Sequence, residues 1–94
     1  MGFKDARKEV LKALSEGTYQ HEARNEIDVK NELATGAVSA SDIAATIKRC
    51  NGKDHSMSKH HGDATIDVHV LRKDGWYIKF YFLEDDTWFI SVHK

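Results

Sequence analysis

From residue 64 to the end of the chain, apolar and polar side chains alternate with a period of two, the pattern of strands with one greasy face. Ile66, Val68 and Val70 alternate with Asp67 and His69; Trp76, Ile78, Phe80 and Phe82 with Tyr77, Lys79 and Tyr81; Trp88, Ile90 and Val92 with Phe89, Ser91 and His93. Lys73-Asp74-Gly75 and the acidic stretch Glu84 to Asp86 punctuate these runs. The spacing predicts an antiparallel meander of strands over residues 64–72, 76–84 and 88–93. Cross-strand partners share a face, so keeping every even position on one side requires loops with an odd number of residues. A three-residue loop at Lys73-Asp74-Gly75 then sets Val70 against Ile78, Val68 against Phe80, His69 against Lys79 and Asp67 against Tyr81. The second loop, around Glu84 to Asp86, brings Ser91 and His93 beside Lys79 and Tyr77.

The N-terminal half changes period. Phe3, Ala6, Val10, Ala13 and Leu14 recur at helical spacing ahead of Gly17, which predicts an amphipathic helix over residues 3–16 with a solvated charged face. Ser39-Ala40-Ser41-Asp42 opens a second helix, residues 40–50, whose apolar stripe is Ile43, Ile47 and a buried Cys50. Between them the pattern is divided. Tyr19, His21 and Ala23 alternate as in a strand, whereas Ile27, Val29, Leu33 and Ala34 suit a helix over residues 25–34 ending at Gly36. Lys53 to Asp63 is polar throughout and is expected to be a mobile loop leading into the sheet. The expectation is one α+β domain, 1–94, with two or three helices packed on one face of the meander and Val68, Val70, Ile78, Phe80, Phe82, Ile90 and Val92 buried beneath them.

Composition narrows the function classes. Fourteen Lys and Arg against fifteen Asp and Glu leave one net negative charge, which argues against avid nonspecific nucleic-acid binding while leaving room for a local basic site. A single cysteine excludes an internal disulfide, and neither a signal peptide nor an apolar run of membrane length is read in the sequence; the default expectation is a soluble cytoplasmic protein with no membrane partner.

Six histidines form the chemical signal. In the expected register the odd face of the sheet gathers His69, Tyr77, Lys79, Tyr81, Ser91, His93 and Asp67. Metal-free cleavage of RNA needs a base for the ribose 2′-hydroxyl, an acid for the departing 5′-oxygen and a cation for the charge on phosphorus. His69, His93 and Lys79 supply all three, and Tyr77 and Tyr81 can stack a base or donate a hydrogen bond. Ser91 completes the row as a binding residue. His21 and Arg24, three residues apart, read as a histidine beside a phosphate-binding arginine. The loop residues His55, Lys59, His60 and His61 read as the rim of a substrate site. Adjacent histidines do not converge easily on one ion, and no cysteine pair accompanies them, so neither a metal nor another cofactor is expected. The competing class is a non-catalytic protein-binding module, an adaptor or inhibitor presenting exposed Trp, Tyr and His.

Asp67-Val68-His69, Tyr77-Ile78-Lys79 and Ile90-Ser91-Val92-His93-Lys94 together resemble the C-terminal half of the motility quorum-sensing regulator toxins, MqsR-like members of the RelE-type ribonuclease superfamily. The resemblance spans about residues 40–94. It implies helices on one face of an antiparallel sheet, endoribonuclease activity on messenger RNA within a toxin-antitoxin system, and inhibition by a cognate antitoxin. Tyr77 falls on the family's catalytic tyrosine, and His93 where the family has a C-terminal catalytic lysine. The family's first-strand glutamine is matched by Ile66, and its loop lysine has no counterpart near Met57. The third strand is expected to be an open sheet edge to which an antitoxin strand, or a second copy, can add.

Overall fold

The computed structural model describes residues 1–94. Its helices lie in the N-terminal half and pack on one face of a five-stranded, mostly antiparallel sheet, the α+β class expected. Helix α1 spans Phe3–Glu16 and buries Ala6, Val10, Ala13 and Leu14; Gly17, at φ 74°, turns left-handed and donates its N–H to the Ala13 carbonyl. Helix α4, Ala40–Lys48, is capped by the Ser39 hydroxyl on the Asp42 amide and buries Ile43 and Ile47. Its last turn tightens, with Cys50 N–H bonded to the Ile47 carbonyl, so the helix stops short of residue 50 while Cys50 still lies in the core.

The segment between these helices forms three short elements. Strand β1, Tyr19–His21, runs parallel to the last strand. The expected helix over 25–34 is split into α2, Ile27–Lys30, and α3, Glu32–Thr35. Asn31 divides them. It is fully buried, bridges to Val92, caps the Ala34 amide through its side-chain oxygen, and donates its amide to His21 Nδ1. An asparagine so employed competes with continuous helix, and Val29, on the expected apolar stripe, is turned to solvent.

Strand β2, His55–His60, replaces most of the expected loop at 53–63, entered through a single 3-10 turn whose Asn51 and Asp54 cap each other. Strands β3, Asp63–Lys73, β4, Trp76–Leu83, and β5, Asp86–His93, form the expected meander. The sheet order is β1-β5-β4-β3-β2. The third meander strand, expected to be an edge, is therefore internal where β1 pairs with it at Thr87, Trp88 and Phe89; β1 and β2 are the edges.

The register also departs from expectation. Lys73 pairs with Trp76, which leaves a two-residue turn of Asp74 and Gly75, both at positive φ. This is the Asp-Gly turn whose backbone twist matches that of the flanking strands. An even loop reverses the parity, so Leu71 pairs with Ile78, His69 with Phe80, Val70 with Lys79 and Val68 with Tyr81. The second turn, Glu84-Asp85, is even as well, and a bulge between Lys79 and Phe80 then shifts β5 by one residue. Beyond that bulge Lys79 faces Ser91 and Tyr77 faces His93, as expected. Under the helices lie Leu71, Ile78, Phe80, Phe89 and Val92, with Phe82 partly covered. Val68 and Ile90, expected there, instead join Tyr81 in a second apolar cluster on the opposite face, flanked by Ile66 and Trp88. Val70 lies on that opposite face too. No helix is long and apolar enough to cross a membrane.

Candidate functional site

Parity decides which titratable groups meet. The face away from the helices, here the open face, carries Tyr77, Lys79 and Tyr81 of β4, Ser91 and His93 of β5, and Arg72 of β3. His69, expected beside Lys79, is on the other side. It is 1% exposed, packed between the rings of His55 and Phe80, with its Nδ1 2.9 Å from His55 Nε2. Burial, with the neighbouring His55 adding to it, holds the His69 pKa down to about 4, so the ring is neutral near pH 7. His55 is lowered by burial as well. These two imidazoles fasten edge strand β2 to the core, where Phe3 of α1 leans on His55. His69 is thus turned away from Lys79, where it was expected, and His55 is engaged with His69 rather than standing on the open face. Asp67 shares the helix-side face with His69 and pairs at the periphery with Lys59, whose hydrogen bond lowers its pKa. Lys59 is engaged there, away from the open face. His21 also faces inward: it takes a hydrogen bond from Asn31, packs on Phe89 and Tyr19, and is held below the usual range by burial.

What the open face does assemble comes from four places in the chain. Strand β3 pairs with β4 only from Val68 onward, and β2 carries a bulge at Lys59/His60, so the tip of the β2–β3 hairpin leaves the sheet. It curls over the second apolar cluster and delivers His60 to Glu22, just beyond β1, at 2.8 Å. The Gly62 amide donates to His60 Nδ1 at 3.0 Å, which makes Nε2 the protonated nitrogen and the donor to Glu22. Tyr81 donates its hydroxyl to the same Glu22 oxygen at 3.3 Å and meets the His60 ring edge-on. Burial, with the Glu22 carboxylate adding to it, pushes the Tyr81 pKa up to about 12. Tyr81 is therefore a fixed hydrogen-bond donor rather than a base at neutral pH.

Beside this latch lies a shallow depression of about 460 Å³, lined by Glu22, Ala23, Arg24, Asn25, His61, Lys79 and Ile90. Arg24 folds over β5 and donates to the Ser91 hydroxyl at 2.5 Å and, more weakly, to the Ile90 carbonyl at 3.4 Å. Neither Arg24 nor Lys79 forms an ion pair. His61 stacks on His60 and is exposed. Along β5 from Ser91, His93 stacks on Tyr77, and the Arg72 guanidinium sits over the other ring of that pair, 5.1 Å from the Tyr77 centroid. His93 Nδ1 lies 3.1 Å from the Lys94 carbonyl; with Nδ1–H donating there, Nε2 presents a free lone pair.

Of the residues singled out in the sequence, the fold gathers Tyr77, Lys79, Tyr81, Ser91, His93, Arg24, His60 and His61 on the open face. It sends His69, His55, His21 and Lys59 elsewhere. Sequence reasoning missed Glu22 and Arg72. Arg72 is two residues from Val70 and would have been placed by the two-residue turn; the partners of Glu22 lie 38 and 59 residues away, and nothing local marks it. No three side chains from His, Cys, Asp and Glu converge as a metal-binding set. No protein-family model, curated protein or solved structure matches the chain.

Proposed function

We propose that the protein binds single-stranded RNA on the open face of its sheet and cleaves it without a metal ion. The observation that carries the reading is the pair of cations, Arg24 and Lys79. They come from separate elements, share one depression, and have no carboxylate partner. A chain with one net negative charge thus keeps a locally cationic face, with Arg72 extending it along the Tyr77–His93 stack. Cations that follow a phosphate backbone, alternating with rings on which bases stack, are the features that sequence-tolerant single-strand binders use. Two of the three segments carrying the toxin-family resemblance also meet here: Tyr77-Ile78-Lys79 pairs with Ser91-Val92-His93, whereas Asp67 and His69 of the third face the helices.

The chemistry follows from these positions. His93 Nε2 takes the proton of a ribose 2′-hydroxyl, and that oxygen attacks phosphorus. Lys79 and Arg24 hold the charge that gathers on the phosphoryl oxygens. The bond to the 5′-oxygen breaks, and that oxygen takes its proton from His61, leaving a 2′,3′-cyclic phosphate and a 5′-hydroxyl end. His61 thus stands where His69 was expected. A toxin held in check by a cognate antitoxin is the biological setting that the resemblance supports.

The test is incubation of the purified chain with a mixed RNA in excess chelator. Cleavage is expected, with cyclic-phosphate ends, and His93→Ala should abolish it while RNA binding through Arg24 and Lys79 persists. Binding without cleavage by the wild type would reduce the open face to a binding module. Absence of both would remove the reading, as would undiminished cleavage by His93→Ala.

A further inference from the structure

We propose that the depression is a phosphate site and that two donors beside it, His60 and Tyr81, are held in this structure by a carboxylate of the chain itself, Glu22, so that Glu22 and a substrate phosphate compete for them. The inference rests on the open-face reading above and adds to it how that site is masked.

One oxygen of Glu22 accepts from both His60 Nε2–H and the Tyr81 hydroxyl. A carboxylate oxygen and a non-bridging phosphate oxygen are the same kind of acceptor, so donors that suit one suit the other. The Glu22 side chain also lines the depression with Arg24 and Lys79. A phosphate entering there gains two cations and meets an anion already seated on the remaining donors. Like charges in a partly desolvated site repel, so the phosphate binds weakly until Glu22 leaves.

Glu22 can leave without disturbing the sheet. Its own N–H is bonded to the Phe89 carbonyl, which ties the backbone to β5, and Ala23 to Asn25 beyond it have no regular structure. Rotation of one side chain frees His60 and Tyr81 without breaking a strand. The masking fraction scales the apparent affinity directly: a site available one part in ten binds about tenfold more weakly than the open site.

The test is calorimetric titration of the full-length chain and its Glu22→Gln variant with two probes, inorganic phosphate and a short 2′-O-methyl oligoribonucleotide that cannot be cleaved. Glutamine keeps an oxygen that accepts from both donors and removes the charge. Glu22→Gln is expected to bind both probes about tenfold tighter or more, and adding Lys79→Ala should cancel the gain. Unchanged or weaker phosphate binding by a folded Glu22→Gln variant overturns the proposal. Tighter phosphate binding with no oligonucleotide binding by either protein upholds the masked site and removes the RNA reading. Equal oligonucleotide binding by both proteins overturns the masking and keeps the RNA reading. Should the variant not fold, the wild type decides: saturating phosphate must shift the ring resonances of His60 and Tyr81, and rings that do not respond overturn the proposal.

Discussion

Lowering the pH from 7 to 4 should unfasten β2 from the core, because the His55–His69 pair is stable only while uncharged. His69 is 1% exposed and its pKa falls from 6.5 to about 4 on folding, so between those values the unfolded chain binds more protons than the native one. The sign follows: this contribution is fully present above pH 6.5, declines as the pH drops, and is exhausted below the folded pKa. A shift of this size corresponds to roughly 3 kcal/mol, of which about 2 kcal/mol is lost by pH 5. His55 and His21, both lowered by burial, act in the same direction. The carboxylates with depressed pKa values, Asp63, Asp67 and Asp74, lose their contributions only below their unfolded value of 3.8, so the window from pH 7 to 5 reports the histidines. Urea unfolding at half-unit pH intervals measures the effect. The free energy should fall by about 2 kcal/mol or more across that window, against 5–15 kcal/mol for a whole domain of ordinary stability. His69→Leu should flatten most of the slope, whatever it does to the stability at pH 7. A wild-type stability that is level from pH 7 to 5, or an unchanged slope in His69→Leu, would refute the burial of a neutral His69 against His55.

Two further outcomes probe the sheet. Phe80 is fully buried in the middle of β4, and Phe80→Ala should cost about 3–5 kcal/mol by thermal or denaturant unfolding; a loss below about 1 kcal/mol would contradict its place in the core. Gly75 sits at φ 83° with open space where a Cβ would be, so Gly75→Ala should cost roughly 1–2 kcal/mol from backbone strain alone, and an unchanged midpoint would contradict the left-handed turn at Gly75.

The elements with strong periodicity were legible, namely α1, α4 and the meander. What misled was the assumption that each strand has one greasy face. β3 is covered on both: His69 and Leu71 pack under the helices while Val68 and Val70 pack on the open side, so its pattern carries no parity. Asp74-Gly75 was the better guide, since a two-residue turn of this chemistry sets the register by local backbone geometry. The β5 bulge was invisible because nothing in Ile90-Ser91 announces it, yet it kept Ser91 and His93 where the even-face argument had put them. Strand β2 was hidden for another reason. An edge strand with both faces half-wet has little need of apolar residues, and His55-Ser56-Met57-Ser58-Lys59-His60 reads as loop until its partner on β3 is known. The candidate site was legible in its β4 and β5 residues, which are local to one hairpin. Its Glu22 latch joins the end of β1 to the tip of the β2–β3 hairpin, and long-range contacts of that kind leave no local trace.

That RNA docks on the open face can be tested by mapping amide and side-chain resonances during titration with an uncleavable oligoribonucleotide. The largest shifts are expected at Arg24, His61, Arg72, Tyr77, Lys79, Ser91 and His93, with α1 and α4 silent. Shifts concentrated on those two helices, or none at a saturating concentration, would contradict it.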